Sequence, residues 1–184
     1  MSLSVDLTNY FNHKNILSKN YHRNSDTVGI NGFFITDSLF QGIKNNIKIN
    51  NIDFIINGSE AKLDNIVCYS QVIDIESLFI PSQMALLGFS EFNSSIDKII
   101  IKTRKDKIIK QFGFYNTFSI DFDTSVYNSL LGENIIGELK LKTNQMGRMN
   151  YYVFLIKDIG IKEKEFSVEL PNNFDIHICA ITLI

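Results

Sequence analysis

The chain has 184 residues, of which 45% are hydrophobic and 21% are charged. This length fits a single domain, and this composition is that of a folded globular protein rather than a disordered chain. Eighteen basic and twenty acidic side chains give a formal net charge of -2, which excludes a general electrostatic attraction to nucleic acid or to anionic membranes.

The N-terminal segment, from Met1 to Leu7, has no basic region followed by an apolar run. Elsewhere no apolar stretch approaches the ~20 residues needed to span a bilayer. The sequence therefore predicts neither a secretory leader nor a membrane span, and it predicts a cytoplasmic location for the chain as it stands.

Alternation of apolar and polar residues with a period of two is the dominant pattern along the chain. A first strand is predicted around Val5 to Leu7. The segment from Ile47 to Phe54 also alternates, but its phase slips at Asn50-Asn51, which predicts a tight turn or a β-bulge there. Tyr151 to Ile156 is apolar on both faces, as expected of a central strand that is covered on both sides. Phe174 to Ile184 is predicted to be a long strand inside a sheet.

Residues 118–123 show the alternation most clearly. We expect Phe118, Ile120 and Phe122 to point into the core. The intervening Ser119, Asp121 and Asp123 should point to solvent. Glu138 to Lys142 repeats the pattern with two leucines.

Helical periodicity is poor, and only two short helical turns are predicted, at Ser125 to Leu131 and at Ile75 to Ser82. Turn-prone clusters separate roughly nine or ten short strands, at the spacing typical of sandwiches and barrels. The predicted fold class is all-β, with residues 1–184 forming one antiparallel two-sheet β-sandwich domain.

Short segments along nearly the whole chain carry a resemblance to a known group of proteins. They are Val5-Asp6-Leu7, Gly32-Phe33-Phe34, Ile52-Asp53-Phe54, Asn65-Ile66-Val67, Met84 to Ser90, Val168 to Asn173 and Ile176 to Leu183. In this order they resemble the galactose-binding-domain-like β-sandwich modules of bacterial glycoside hydrolases, which are similar to carbohydrate-binding modules. The resemblance implies a jelly-roll sandwich and a non-catalytic module that recognises carbohydrate.

The chain departs from this group in the segments that bear on the ligand. His13-Lys14-Asn15-Ile16 stands where the group carries Asn-Asp-Gly-Ile, and Thr103 to Lys107 replaces the usual Tyr-x-Asp-Gly hairpin. The chain also contains no tryptophan. Because sugar recognition relies on aromatic rings stacked against the apolar face of a pyranose, the expected fold survives these departures better than the expected ligand.

Loops that combine aromatic, guanidinium and amide groups are the candidate recognition segments. One is the polar run that contains His22, for which a plain polar connection is the alternative. The candidate ligand-binding residues are Tyr21, His22, Arg23, Tyr115, Asn116, Tyr127 and Arg148.

Catalytic motifs are missing from the sequence: there is no Gly-x-Ser-x-Gly, Walker or dinucleotide-binding pattern. Asp121 and Asp123, like Asp74 and Glu76, share one strand face, and paired carboxylates serve glycoside hydrolysis when they flank a bond at a fixed separation. A solvated strand face already explains this spacing. The sequence therefore predicts no catalytic residue.

Metal and cofactor sites are not predicted either, since His13, His22 and His177 are scattered along the chain. Cys68 and Cys179 lie in apolar segments, where buried free thiols are predicted in preference to a disulfide. One basic cluster, interpreted as a charged hairpin tip that protects a strand edge and not as a nucleic-acid site, comprises Lys102, Arg104, Lys105, Lys107 and Lys110.

Three functional hypotheses follow. The first is a non-catalytic module that binds carbohydrate, or a glycan-like ligand, through loops at one end of the sandwich. The second is a protein-interaction or accessory domain that has lost the sugar site, and the least favoured is a glycoside hydrolase. The expected partners are a carbohydrate or a protein, without nucleic acid or membrane, and the oligomeric state is left open.

Overall fold

A computed structural model of the chain describes residues 2–17, 34–118, 128–144 and 147–184. Within these ranges all strand pairs are antiparallel, and one α-helix, α1 (Asn128–Asn134), and one turn of 3-10 helix (Ser38–Phe40) are present. The strands are β1 (Leu3–Ser4), β2 (Lys44–Ile49), β3 (Ile52–Asn57), β4 (Ile66–Tyr69), β5 (Val72–Glu76), β6 (Met84–Ser90), β7 (Ser95–Lys102), β8 (Lys107–Phe114), β9 (Ile135–Lys142), β10 (Arg148–Ile156), β11 (Glu165–Glu169) and β12 (Asn172–Leu183). In this described part of the chain, no helix is both long and apolar enough to cross a membrane.

Two sheets face each other across the main apolar core. The larger has the order β1-β12-β6-β10-β9, with β4 also paired to β12, and the smaller has the order β5-β11-β7-β8. Residues of both sheets form one buried cluster, in which Phe112 of β8 meets Phe154 of β10 edge to face at 6.5 Å between ring centroids. The predicted all-β, antiparallel β-sandwich is confirmed.

The outer face of the larger sheet is covered by a third layer, the β2–β3 hairpin. Phe54 and Ile56 of β3 pack in a second buried cluster with Leu87 of β6 and with Tyr151 and Val153 of β10. Apolar layers on both faces explain why every residue of β6 is buried. The predictions of a two-sided central strand at Tyr151–Ile156 and of a long internal strand at the C-terminus are therefore confirmed.

The β2–β3 hairpin turns at the position where the alternation slips. Asn50 and Asn51 have φ angles of 47° and 63°, and Ile49 pairs with Ile52 across them. Two consecutive residues with positive φ form the turn whose twist matches that of the flanking strands, and asparagine tolerates this conformation better than most residues. The predicted tight turn is confirmed.

The predicted charged hairpin tip connects β7 to β8. The Thr103 N–H donates to the Asp106 carbonyl at 2.9 Å and closes the turn. The Arg104 guanidinium lies 2.6 Å from a Glu165 carboxylate oxygen on β11. The basic cluster therefore lies at a hairpin tip, as predicted from the sequence, and Arg104 connects this tip to β11.

Three expectations about elements are wrong. The first strand is Leu3–Ser4 and ends before Leu7, because the Leu7 carbonyl accepts the N–H groups of Tyr10 and Phe11 in a turn. No helix forms over residues 75–82, since Ile75 pairs with Phe166 in the smaller sheet. Phe118 lies in a turn rather than in a strand, although it is partly buried and packs against the second core cluster, as its predicted inward direction requires.

Some predictions fall partly or wholly on undescribed residues. Helix α1 is described over Asn128–Asn134 and overlaps the helical turn predicted at Ser125 to Leu131, of which residues 125–127 lie outside the described part of the chain. Residues 119–123, which include the predicted inward Ile120 and Phe122, also lie outside it. Both cysteines are free and buried, as predicted.

Candidate functional site

The candidate site lies at one end of the larger sheet, where β4 pairs with β12. Cys68 of β4 pairs with Asn173, and Val67, its neighbour, pairs with His177. Residues 174–176 of β12 therefore have no partner on β4, which is the geometry of a bulge. The bulge redirects the side chains of β12 at this point.

An exposed pair of aromatic rings results. Tyr69 is 53% exposed and Phe174, in the bulge, is 55% exposed, yet their ring centroids are only 4.4 Å apart. Cys68 points into the main core, so alternation directs Tyr69 to the opposite face of the sheet. The two rings form a small aromatic platform that is open to solvent.

A third exposed ring follows β6 at the same end of the sheet. Phe92 is 60% exposed, and its N–H donates to the Asp175 carboxylate at 2.8 Å. The preceding Glu91 N–H donates to the Asp175 carbonyl at 2.8 Å. The loop after β6 is thereby attached to the bulge that carries Phe174.

Beneath this surface lies a fully buried histidine. His177 Nδ1 is 2.9 Å from Asn65 Oδ1, and His177 Nε2 is 3.2 Å from Glu91 Oε2. Asn65 Nδ2 donates to Asp64 Oδ1 at 2.8 Å, which fixes the amide so that its oxygen faces the histidine. His177 Nδ1 therefore carries a hydrogen and donates it to Asn65.

A second histidine completes the arrangement. His13 Nδ1 lies 3.2 Å from Asn65 Nδ2, and the rings of His13 and His177 meet edge to face at 5.2 Å. Burial lowers the pKa of His13, and the nearby His177 lowers it further, against the opposing effect of Asp64 and Glu91. Neutral His13 can then accept the remaining hydrogen of the Asn65 amide.

Asp64 anchors the N-terminal segment against this network. Its carboxylate accepts the N–H groups of Asn15 at 3.0 Å and Ile16 at 2.9 Å, and it lies 3.0 Å from the Lys14 ammonium. Asp64 is fully buried and Lys14 is nearly so. The segment from His13 to Ile16 is therefore held in place by a buried carboxylate.

Three candidate recognition residues are described, and all lie at this end of the larger sheet. Tyr115 is half-buried against Tyr152, and burial raises the pKa of its hydroxyl. The Asn116 side chain donates to the Glu91 carbonyl at 3.0 Å, so it fixes the loop after β6. Arg148 is exposed at the first position of β10. The other candidates lie outside the described residues: Tyr21, His22, Arg23 and Tyr127.

Sequence reasoning missed the aromatic platform and the buried histidine. Tyr69 and Phe174 are far apart in sequence and each is an ordinary strand residue by pattern. His13 and His177 are even farther apart in sequence, yet their rings are in contact. Among the described residues, no three His, Cys, Asp or Glu side chains are placed to hold a metal ion.

A concave surface on the smaller sheet is the other notable feature. It is a shallow groove of about 570 Å³. Its walls include Asp74 and Glu76 of β5 and Glu165 of β11, with Arg104 paired to Glu165. The carboxylates of β5 thus occupy an outward strand face, and no exposed aromatic ring lines the groove.

Comparison with known proteins identifies no family. No protein-family model matches the chain, and no curated protein is similar to it. The resemblance to galactose-binding-domain-like modules therefore stays a prediction from the residues that carry it.

Proposed function

We propose that this protein is a non-catalytic recognition domain that binds carbohydrate on the aromatic platform of Tyr69 and Phe174. The observation that carries the proposal is the contact of two half-exposed rings at one end of the larger sheet. Aromatic rings are costly to leave in water, and the apolar face of a pyranose covers such rings well.

Polar groups beside the platform suit sugar hydroxyls. Asn172 is exposed and pairs directly with Tyr69 across the β4–β12 ladder. The Tyr69 hydroxyl and the Asn172 amide both donate and accept hydrogen bonds, as a hydroxyl ligand requires. This combination of ring faces and amides supports a glycan ligand over a purely apolar one.

The platform is small, which sets the expected strength of binding. Without tryptophan, stacking rests on one tyrosine and one phenylalanine. We expect an affinity near millimolar for a single sugar, which corresponds to about -4 kcal/mol.

A glycan array followed by calorimetry tests the proposal. We expect Tyr69→Ala and Phe174→Ala each to weaken binding of any glycan found by about tenfold, a change of about 1.4 kcal/mol. Leu78→Ala is the matched control, because Leu78 is 78% exposed but follows the far end of β5. Binding that survives both aromatic substitutions would contradict the proposed site.

The same assay tests the non-catalytic assignment. The purified protein should leave every bound glycoside intact. Turnover that Glu165→Gln or Glu76→Gln abolishes would identify the groove on the smaller sheet as a hydrolytic site and overturn the assignment.

A protein partner is the second candidate function, and one observation favours it. Leu78 and Ile80 are 78% and 53% exposed in the loop after β5. Neighbouring exposed apolar side chains are characteristic of protein contact sites. If no glycan on a broad array binds, and a protein partner binds the unmodified chain but not Leu78→Asp, the protein-interaction function is favoured over carbohydrate binding.

A further inference from the structure

Beneath the aromatic platform the side chains of His13, Asn65 and His177 are hydrogen-bonded in series, and the Glu91 carboxylate lies 3.2 Å from the outer nitrogen of His177; we call these four side chains the latch. They come from four separate parts of the sequence. His177 is fully buried and Glu91 is mostly buried. Such a series has only a few arrangements of hydrogens that satisfy every member.

The Asn65 amide determines where the hydrogens lie at the His13 end of the latch. The Asn65 amide nitrogen donates one hydrogen to Asp64 Oδ1 and directs the other at His13 Nδ1. An amide nitrogen only donates, so His13 Nδ1 must be the unprotonated nitrogen of that ring. A proton added at this nitrogen would set N–H against N–H.

The electrostatic surroundings of His13 come from every neighbouring element. His177 of β12 lies at its ring edge, Asp64 precedes β4, and Glu91 follows β6. Lys14 adds a positive charge next in the chain, where it is paired with Asp64. Burial disfavours a charge on His13 more than these two carboxylates favour it, and its pKa is accordingly lowered.

The latch holds the N-terminal segment along β4. His13 N–H donates to the Asn65 carbonyl at 3.1 Å. One residue earlier, the Asn12 amide donates to the Val67 carbonyl at 2.9 Å and accepts the Val67 N–H at 2.7 Å. Tyr69, half of the aromatic platform, lies two residues beyond Val67 on the same strand face.

We propose that the latch is a pH-sensitive device, which fastens the N-terminal segment to β4 while His13 is neutral and releases it when acid protonates His13. Release breaks the two hydrogen bonds between the Asn12 amide and the Val67 backbone. It thereby loosens β4, the strand that carries Tyr69. The consequence for ligands rests on the proposed function: a glycan held on the platform should dissociate in acid.

Native-state hydrogen exchange of the Val67 amide tests the latch without any ligand. We expect the protection factor of this amide to fall by about tenfold as the pH is lowered from about 7 through and below the ordinary histidine pKa of about 6.5, because the pKa of His13 is lowered by burial. The Val153 amide, in the middle of the larger sheet, serves as the internal reference and should keep its protection.

Two variants separate titration from simple loosening. His13→Gln keeps a side-chain acceptor but cannot titrate, so Val67 protection should no longer depend on pH. Asn12→Ala removes both hydrogen bonds to the Val67 backbone, so the protection factor of the Val67 amide should be low at every pH. Unchanged protection of Val67 in the unmodified protein, or an equal fall in His13→Gln, would overturn the latch.

The pH dependence of glycan affinity is a second, independent test of the latch. If a glycan is found, its affinity should fall in acid for the unmodified protein and stay constant for His13→Gln. A pH-dependent Val67 amide without any glycan binding would support the latch and contradict the proposed function.

Discussion

Asp64 connects the fold to the candidate site through a single carboxylate. It accepts hydrogen bonds from two backbone N–H groups, from the Asn65 amide and from the Lys14 ammonium, and it is fully buried. Removing one member of a buried ion pair leaves the partner charge and its donors without compensation. We therefore expect removal of Asp64 to cost more unfolding free energy than removal of an exposed carboxylate such as Asp53.

Asp64→Ala should lower the free energy of unfolding by about 3–5 kcal/mol, because it leaves the Lys14 charge buried and unpaired. Asp53→Ala is the matched control. Asp53 pairs with Lys48 at 3.3 Å, but both side chains are exposed, so the loss should stay within about 1 kcal/mol. Chemical denaturation measures both, and similar losses would show that Asp64 does not anchor the N-terminal segment.

The secondary structure elements show where alternation was a sufficient guide. The β2–β3 hairpin follows the alternation because its apolar face packs against the larger sheet. The helical turn predicted over residues 75–82 is wrong because a short apolar run fits a helix as well as a strand. Pairing of Ile75 with Phe166, a contact no local pattern reveals, decides between them.

The turn between β2 and β3 can be tested by two substitutions at one residue. Asn51 has a φ of 63°, where a β-branched side chain is strained. Asn51→Val should therefore cost about 1–2 kcal/mol of unfolding free energy, whereas Asn51→Gly should cost nothing. Equal denaturation midpoints for the two variants would mean that the turn adopts another conformation.

The packing of the three layers explains why some parts of the candidate site could be predicted from the sequence and others could not. The scaffold of the site was predictable, since period-two patterning indicates a sandwich whose loops gather at its ends. The platform was not, because the contact of Tyr69 with Phe174 depends on the β4–β12 register and on the bulge at residues 174–176. The latch likewise depends on tertiary pairing, which brings His13 to His177.

The same arrangement explains the role of the described recognition candidates. Asn116 is a predicted loop-borne ligand group, and its amide also donates to the Glu91 carbonyl. A side chain that satisfies backbone groups and one that binds ligand have the same sequence signature. Only the partners of its atoms distinguish them.

Mapping a bound glycan onto the protein tests the central claim most directly. Isotope-labelled protein would be titrated with the best glycan from the array, and backbone amide shifts would be followed by NMR. We predict that the largest shifts fall on Tyr69, Asn172 and Phe174, because stacked ring faces and their neighbouring amides change environment on binding. Shifts confined to the groove of Asp74, Glu165 and Arg104 would contradict carbohydrate recognition on the aromatic platform.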